Sequence, residues 1–171
     1  MTVTIRVGVT SDAEALAELA AQTFAETFGP DNTADDLAAY LAANFKVESF
    51  IEELADPACR YLIAEIVADM VGYAKLRWGD PPAYVRGTRP AELARIYVSA
   101  DWLGRGVGQA LMQRCIDDAR ESGSQSIWLG VWERNSRAQA FYLRWGFRKV
   151  GEHIFVLGSD PQTDWVMERD L

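Results

Sequence analysis

The sequence is poor in the residues that build metal sites, disulfides and membrane spans. It has two cysteines, Cys59 and Cys115, which form no Cys-x-x-Cys pattern, and one histidine, His153. We therefore predict no metal site and expect a reduced, cytoplasmic protein. No apolar run is long enough to span a bilayer, and the first residues lack the basic region and apolar block of a secretory signal.

Positive charge is also scarce. The chain has 17 Lys and Arg residues against 25 Asp and Glu residues, which gives a formal net charge of −8. Nonspecific nucleic-acid binding needs cations that neutralise phosphates, so this balance argues against a nucleic-acid partner. An acidic field attracts cationic amines, but acidity also keeps a protein soluble, and the charge alone does not separate these two interpretations.

The length of 171 residues and the hydrophobic content of 49% suffice for one domain with a buried core. The alternation of strand and helix patterns predicts an α+β fold with a mixed sheet. Strands are expected over 3–9, 60–67, 71–78, 92–98, 126–132, 147–156 and 165–169.

Turn and capping residues mark where elements meet. Ser11 and Glu14 have the spacing of a capping box, with Ser11 as the N-cap of the first helix. Thr33, or Asn32 before it, can cap a second helix. The hairpin between the second and third strands is expected to turn at 68–69.

The stretch Ile96–Gln109, IYVSADWLGRGVGQ, joins a predicted strand to a predicted helix through three glycines. The first N–H groups of a helix have no intrahelical partners, and the macrodipole makes that end positive. Glycines let a phosphate approach those N–H groups closely. The pattern favours a phosphate-binding loop, and a tight helix-entry turn without ligand is the alternative.

Two common glycine loops do not fit this stretch. A nucleotide-binding P-loop needs Lys-Ser or Lys-Thr after the last glycine, and Gln109 and Ala110 follow Gly108 instead. A dinucleotide fingerprint needs a third glycine where Gln109 or Leu111 stands. The loop therefore belongs to neither class.

The segment GRGVGQAL resembles the pyrophosphate loop of the GNAT family of N-acetyltransferases, which bind acetyl-CoA. That loop usually reads Arg/Gln-x-x-Gly-x-Gly/Ala; here Gly106 and Gly108 match, and Leu103 stands where Arg or Gln is expected. A second similar segment, NSRAQAFY over 135–142 followed by WGF over 145–147, comes in the family's order. The resemblance implies one GNAT-like domain over 1–171, with a mixed, mostly antiparallel sheet flanked by helices.

The resemblance also implies which residues hold acetyl-CoA. The backbone of the glycine loop would bind the pyrophosphate, the strand edge before it would pair with the pantetheine amides, and the 135–142 segment would complete the site. The expected cofactor-binding residues are Ile96, Tyr97, Val98, Leu103, Gly104, Arg105, Gly106, Val107, Gly108, Gln109, Asn135, Ala138 and Tyr142.

Acyl transfer to an amine needs a neutral amine, a polarised carbonyl and a proton for the leaving thiolate. Tyr142 is the candidate acid that the resemblance implies, with a core tyrosine as the alternative. Glu92 is the first candidate base, and Glu133 and His153 are further candidates on the substrate side. Each of these three could instead be a surface or structural residue.

A narrower resemblance covers nearly the whole chain. TFAETF over 23–28, IWLGVWERN over 127–135, the residues Gly151, His153 and Phe155, and QTD over 162–164 are similar to PaiA-type polyamine N-acetyltransferases. The resemblance implies acetylation of a small amine, with spermidine or spermine as the first candidates, and a homodimer is possible. Acetylation of a protein N-terminus or lysine, and a non-catalytic acyl-CoA sensor, are the alternatives.

Overall fold

Five helices and seven strands make up the computed structural model, which describes residues 1–171. The helices are α1 (Ala13–Phe28), α2 (Ala34–Asn44), α3 (Val47–Ala55), α4 (Val107–Glu121) and α5 (Ser136–Arg144). The strands are β1 (Thr4–Val7), β2 (Cys59–Ile66), β3 (Asp69–Arg77), β4 (Pro90–Val98), β5 (Ser126–Trp132), β6 (Arg148–Leu157) and β7 (Asp160–Asp170). No helix combines the length and apolar character needed to cross a membrane.

All seven strands belong to one sheet in the order β1-β2-β3-β4-β5-β7-β6. Every neighbouring pair is antiparallel except β4 and β5, which are parallel. The predicted α+β fold with a mixed, mostly antiparallel sheet is therefore confirmed. The parallel pairing is short: it joins Pro90–Glu92 to Ser126–Trp128 and then stops.

Helices cover both faces of this sheet. On one face α4 buries the apolar stripe that its sequence spacing predicts, since Val107, Leu111, Cys115 and Ala119 are at most 1% exposed. On the other face α1 and α3 pack over the aromatic side chains Tyr61 and Tyr73. Helices therefore support the sheet on both of its faces, up to the point where β4 and β5 stop pairing.

The start of α1 differs from the capping box that the sequence suggests. The helix begins at Ala13, and Ser11 lies in a short 3-10 turn without a capping hydrogen bond. Asp12 organises this turn instead: its carboxylate accepts hydrogen bonds from the Val9 N–H at 2.8 Å and from the Arg6 guanidinium at 2.8 Å. The Ser11 prediction was wrong because a β1 arginine selects the neighbouring carboxylate.

The second helix starts as the sequence suggests. Thr33 is the N-cap of α2, and its hydroxyl accepts the Asp36 N–H at 3.1 Å. Asn32 is not the cap; its side-chain amide donates to the Phe28 carbonyl at 2.7 Å and joins the end of α1.

The β2–β3 turn occupies Val67 and Ala68, one residue before the predicted position. Both have left-handed backbone conformations, with φ of 51° and 69°. Tight hairpin turns require this conformation, which is strained for residues with a Cβ, most of all for a β-branched valine. The register between β2 and β3 therefore holds these two residues in a conformation that their side chains disfavour.

Replacing this turn with its preferred residues should therefore stabilise the protein. The double substitution Val67→Asn and Ala68→Gly should raise the free energy of unfolding by about 1–2 kcal/mol, because Asn-Gly tolerates the left-handed geometry. Urea denaturation measures this change. As a matched control, Ala38→Gly on the exposed face of α2 should lower stability by about 1 kcal/mol. A loss of stability in the turn variant would show that the turn is not strained.

Candidate active site

A cleft opens where β4 and β5 stop pairing. Beyond Glu92 and Trp128 the two strands have no shared register, while β3 and β7 continue on their outer sides. The edge of β4 over 93–98 that faces β5 is therefore without a strand partner. The cleft is a cavity of about 680 Å³, within the range of roughly 300–1,000 Å³ for small-molecule sites.

One end of the cavity is formed by the glycine loop and the start of α4. Gly104 and Gly106 have left-handed φ angles of 74° and 87°, so the loop bends in a way that disfavours other residues. The first helical hydrogen bond runs from the Ala110 N–H to the Gly106 carbonyl, so the N–H groups of 107–109 precede it. These free donors at a helix N-terminus form an anion site.

A β-bulge in β4 turns successive side chains to different sides of the sheet. Arg95 is opposite Lys75, but Leu93 is opposite Leu76, which leaves Ala94 as the extra residue. Leu93 packs in the core beneath α4. In a regular strand Leu93, Arg95 and Tyr97 would share one face of the sheet. Because of the bulge, Arg95 and Tyr97 lie on the face opposite to Leu93, where they line the cavity.

Helix α5 brings Tyr142 to the cavity between the two strands. Asn135 caps this helix, because its Oδ1 accepts the Ala138 N–H at 3.1 Å. Tyr142 is 8% exposed and packs edge-on against Phe147. Burial raises the pKa of the Tyr142 phenol, so the group keeps its proton at neutral pH. A protonated hydroxyl at this place can donate to an atom in the cleft.

The other end of the cavity carries a histidine–aspartate pair. His153 on β6 is directly opposite Asp164 on β7, and His153 Nε2 lies 3.5 Å from Asp164 Oδ2. Asp164 Oδ1 is buried without a hydrogen-bond partner. Burial raises the Asp164 pKa to about 6, although His153 partly opposes this effect. A carboxylate with that pKa can accept a proton near neutral pH.

Gly130 on β5 makes room for this pair. A Cβ at position 130 would lie 3.1 Å from His153 Cε1 and 3.2 Å from Asp164 Oδ2. Any side chain here would push the pair out of place. The sequence gives no direct sign of this requirement, since the glycine sits within an otherwise ordinary strand.

Aromatic side chains form the wall beside the histidine–aspartate pair. Tyr40 on α2 stacks on Phe24 with ring centroids 4.6 Å apart, and it meets Phe155 edge-on at 5.5 Å. Phe28 contacts Trp132 with centroids 5.5 Å apart. This half of the cavity is therefore apolar, with a few polar groups directed into it, which suits a small organic acceptor.

Most residues predicted from the sequence meet in this one cavity. Those that line it are Glu92, Ile96, Tyr97, Val98, Leu103, Gly104, Gly106, Gly108, Gln109, Asn135, Ala138, Tyr142 and His153. Two predicted loop residues have side chains elsewhere. Val107 is buried in the core, and the Arg105 guanidinium lies over the Trp102 ring at 5.2 Å. Only the backbone of these two can serve the loop.

The two glutamates considered as bases are placed less favourably than Asp164. Glu92 lines the cavity, but its Oε2 lies 2.7 Å from both Nε and Nη2 of Arg77. Glu133 is exposed and does not line the cavity; its backbone binds Thr163 and Gln139. Both stand at strand ends, where the sequence places them, but neither carboxylate is directed freely into the cleft.

Asp164 was missed as a site residue because the last strand was predicted to start too late. The expected strand began at 165, whereas β7 begins at Asp160. Glycine and serine favour turns, so the sequence allows a hairpin turn at Gly158-Ser159. Pairing the residues on either side of that turn one by one, from Leu157 with Asp160 onward, places His153 opposite Asp164.

Comparison with known proteins identifies this arrangement. Residues 14–147 match the model of the acetyltransferase (GNAT) family. The chain belongs to the GNAT family. It is accordingly an N-acetyltransferase that uses acetyl-CoA, and the enzyme class predicted from the sequence is confirmed.

Two relatives and one solved structure show how far the similarity extends. An uncharacterized N-acetyltransferase of Mycobacterium tuberculosis is 36% identical over 161 residues, 94% of this chain and 99% of the relative. The N-alpha-acetyltransferase RimI of the same organism is 33% identical over 126 residues, 71% of this chain and 73% of RimI. The PaiA N-acetyltransferase of Thermoplasma acidophilum, solved with coenzyme A, has a TM-score of 0.80 at 20% identity, with both chains fully covered.

The structure contains the features that acetyl-CoA requires. The glycine loop offers free N–H groups for pyrophosphate, and the unpaired edge of β4 offers backbone groups to the amides of pantetheine. Gly108 has no side chain that could obstruct a ligand, and a Cβ there would only touch Phe141 and Val98, at 3.8–3.9 Å. Together these residues fit the cofactor that the family uses.

The raised pKa of Asp164 predicts in which direction folding stability changes with pH. Its pKa is about 6 in the folded protein against 3.8 ordinarily, so the folded state holds a proton that the unfolded chain releases. Folding stability should therefore fall as pH rises from about 4 through 6, by about 3 kcal/mol at most. Asp164→Asn mimics the protonated form and should be more stable than the wild type at pH ~8 and equal to it only below the unfolded-state pKa, near pH ~3.

Thermal or denaturant unfolding of both proteins at the two pH values measures this difference. A gap between variant and wild type that stays the same at both values would contradict a raised Asp164 pKa. His153→Gln keeps the buried carboxylate and serves as the control, because it should not remove the pH dependence.

Proposed function

We propose that this protein transfers the acetyl group of acetyl-CoA to a primary amine of a small substrate, by direct attack within a ternary complex. The observation that carries the proposal is the shared cavity between β4 and β5. It has an anion-binding loop at one end, the Tyr142 hydroxyl at its side and the Asp164–His153 pair at the other end. An acyl donor and an amine can therefore be held together, which itself supplies much of the rate.

The reaction balances with two proton transfers. The amine nitrogen forms a bond to the acetyl carbon, the C–S bond of the thioester breaks, and the sulfur leaves as a thiolate. Asp164, with His153 beside it, takes the proton that the amine loses, and Tyr142 donates its proton to the sulfur. As the products leave, Asp164 releases its proton to solvent and Tyr142 regains one from solvent.

The role of base is better filled by Asp164 than by Glu92. Arg77 holds the Glu92 carboxylate from both Nε and Nη2, so this carboxylate is already engaged in an ion pair. Asp164 is half-buried, has one buried oxygen without any partner and has a pKa of about 6. We therefore assign the base to Asp164 and regard Glu92 as a structural partner of Arg77.

The polyamine expectation from the sequence rests on the PaiA resemblance and on the acidic chain. The Asp164 carboxylate supports a cationic acceptor, because it favours an ammonium group beside it. The structural similarity to the PaiA enzyme supports the fold alone. A protein N-terminus is a second candidate, supported by the relative RimI. A cytoplasmic location and a homodimer remain predictions.

A panel of acceptors tests the proposed function. Purified protein with acetyl-CoA is mixed with spermidine, spermine, simple alkylamines, amino acids and N-terminal peptides, and the release of free thiol is followed. Amine-dependent thiol release, with an acetylated product seen by mass spectrometry, is expected. Tight binding of acetyl-CoA without turnover on any amine would instead indicate an acyl-CoA sensor.

Replacing Tyr142 by phenylalanine tests the acid. Tyr142→Phe keeps the ring and its packing and removes only the donor, so the single-turnover rate should fall by about a hundredfold. Acetyl-CoA affinity and melting temperature should stay near the wild-type values. Single turnover, with acetyl-CoA bound first and amine in excess, avoids a limit set by product release.

Phe147→Leu provides a packing control, because it perturbs an aromatic contact of Tyr142 from outside the cavity without touching a proton donor. If Tyr142→Phe reacts within about threefold of the wild type, Tyr142 is a core residue and not the acid. The same conclusion follows if both variants lose rate equally.

A further inference from the structure

We propose that Arg95 recognises a carboxylate on the acceptor, so that the preferred substrate carries an anionic group in addition to the amine that is acetylated. This inference rests on the proposed function, because it concerns the acceptor half of the same cavity. It opposes the polyamine expectation, since a second ammonium group would be repelled by the guanidinium.

Arg95 is a cation without a carboxylate partner. It lines the cavity and forms no salt bridge with any acidic residue of the chain. The Tyr73 hydroxyl is buried beside it, but the contact does not meet hydrogen-bond geometry, and Tyr73 Oη has no partner. Arginine stays charged under all ordinary conditions, and a half-buried charge without a counterion is costly. Such a group is satisfied when an anion enters the cavity.

Glu53, the acid whose charge acts on Arg95, is already engaged. Glu53 Oε1 lies 2.7 Å from Lys75 Nζ, and the Tyr61 hydroxyl donates to the other carboxylate oxygen. Burial acts to raise the Glu53 pKa, but the hydrogen bonds from Lys75 and Tyr61 outweigh it and lower the pKa. Lys75 therefore neutralises Glu53, and the charge on Arg95 remains for a ligand.

Aromatic rings hold the guanidinium in place. Its central carbon lies 5.1 Å from the Phe45 ring centroid and 5.8 Å from that of Phe50. The β4 bulge directs the side chain to this face, as described above. A guanidinium fixed in this way presents a planar fork of donors, which matches a carboxylate geometrically.

Arg95 and the proposed base face the same small space. Tyr40 feels the charges of both groups: burial raises its pKa, Arg95 opposes the shift and Asp164 adds to it. Tyr97 is similarly within electrostatic range of Tyr142 and of Arg95. An acceptor held between these side chains can place its amine at Asp164 and its carboxylate at Arg95. The other acids that line the cavity, Glu92 and Glu26, already bind Arg77 and the Ala100 N–H. Further basic side chains along the cavity are Arg137, Arg144 and His153.

Matched acceptor pairs test this directly. The pairs are γ-aminobutyrate with n-propylamine, δ-aminovalerate with n-butylamine and phenylalanine with phenethylamine, and putrescine is the doubly cationic competitor. For each pair the ratio of kcat/KM, compared per neutral amine, should favour the carboxylate by at least tenfold for the best-fitting length. Arg95→Gln should reduce that ratio at least tenfold, and Arg95→Lys should restore part of it.

Arg148→Gln is the matched control, because this exposed arginine on β6 has only a 3.8 Å contact with Asp170. It should leave the ratio unchanged. A second readout is calorimetric binding of δ-aminovalerate to the complex with free CoA, where no acetyl group can transfer. Binding should be present in the wild type and weakened at least tenfold by Arg95→Gln.

The outcomes separate the two proposals. Turnover of alkylamines or putrescine with no preference for the carboxylate overturns the Arg95 inference and leaves the acetyltransferase function in place. Arg95-dependent binding of δ-aminovalerate without turnover of any amine overturns the function and retains the anion site. If Arg95→Gln lowers kcat/KM equally for both members of each pair, Arg95 only supports the fold and the inference fails.

Discussion

The separation of β4 from β5 is the constraint on which the rest of the molecule depends. A sheet normally pairs all its interior backbone groups, and leaving a strand edge unpaired is costly. Here the parallel pairing ends at Glu92 and Trp128. The sheet tolerates this because α4 and the outer strands β3 and β7 hold each half in place. The exposed backbone of β4 then serves as a ready partner for an extended ligand.

The two ends of the cleft suit different parts of the reaction. At the loop end we expect backbone groups to hold the cofactor, so the side chain of Leu103 should matter little. At the acceptor end we expect charged side chains among aromatic rings to select the substrate. Asp164 and Arg95 each remain incompletely satisfied in the free protein, which costs stability. Such strain is expected where a site is arranged for a ligand and not for folding alone.

Much of the fold could be predicted from residue patterns because those patterns are local. Helix α4 and its buried stripe, the Thr33 cap and the strand β5 follow from spacing and capping residues. The loop from Gly104 to Gly108 was found because glycines at a strand–helix junction have a direct physical meaning. These features require no knowledge of distant contacts.

The acceptor half could not be predicted in the same way, because it depends on long-range register. His153 and Asp164 meet only through the exact pairing of β6 with β7, and Gly130 makes room for them from a third strand. Arg95 reaches the cavity because a bulge at Ala94 reverses the alternation of β4. The failed Ser11 cap has a similar cause, since Arg6 on another element selects Asp12. Residue types indicate chemistry, but tertiary contacts decide which of them meet.

We propose above all that the cleft between β4 and β5, with its glycine loop, is the acetyl-CoA site. Calorimetric titration of acetyl-CoA into the wild type and Gly108→Val tests it most directly. A Cβ at 108 would be in ordinary van der Waals contact with Phe141 and Val98, at 3.8–3.9 Å, so the melting temperature of the variant is measured alongside to establish that it folds. The wild type should bind with one-to-one stoichiometry, and the variant should lose at least about tenfold in affinity, or 1.4 kcal/mol. Equal affinity in both proteins, with unchanged melting temperatures, would contradict the claim.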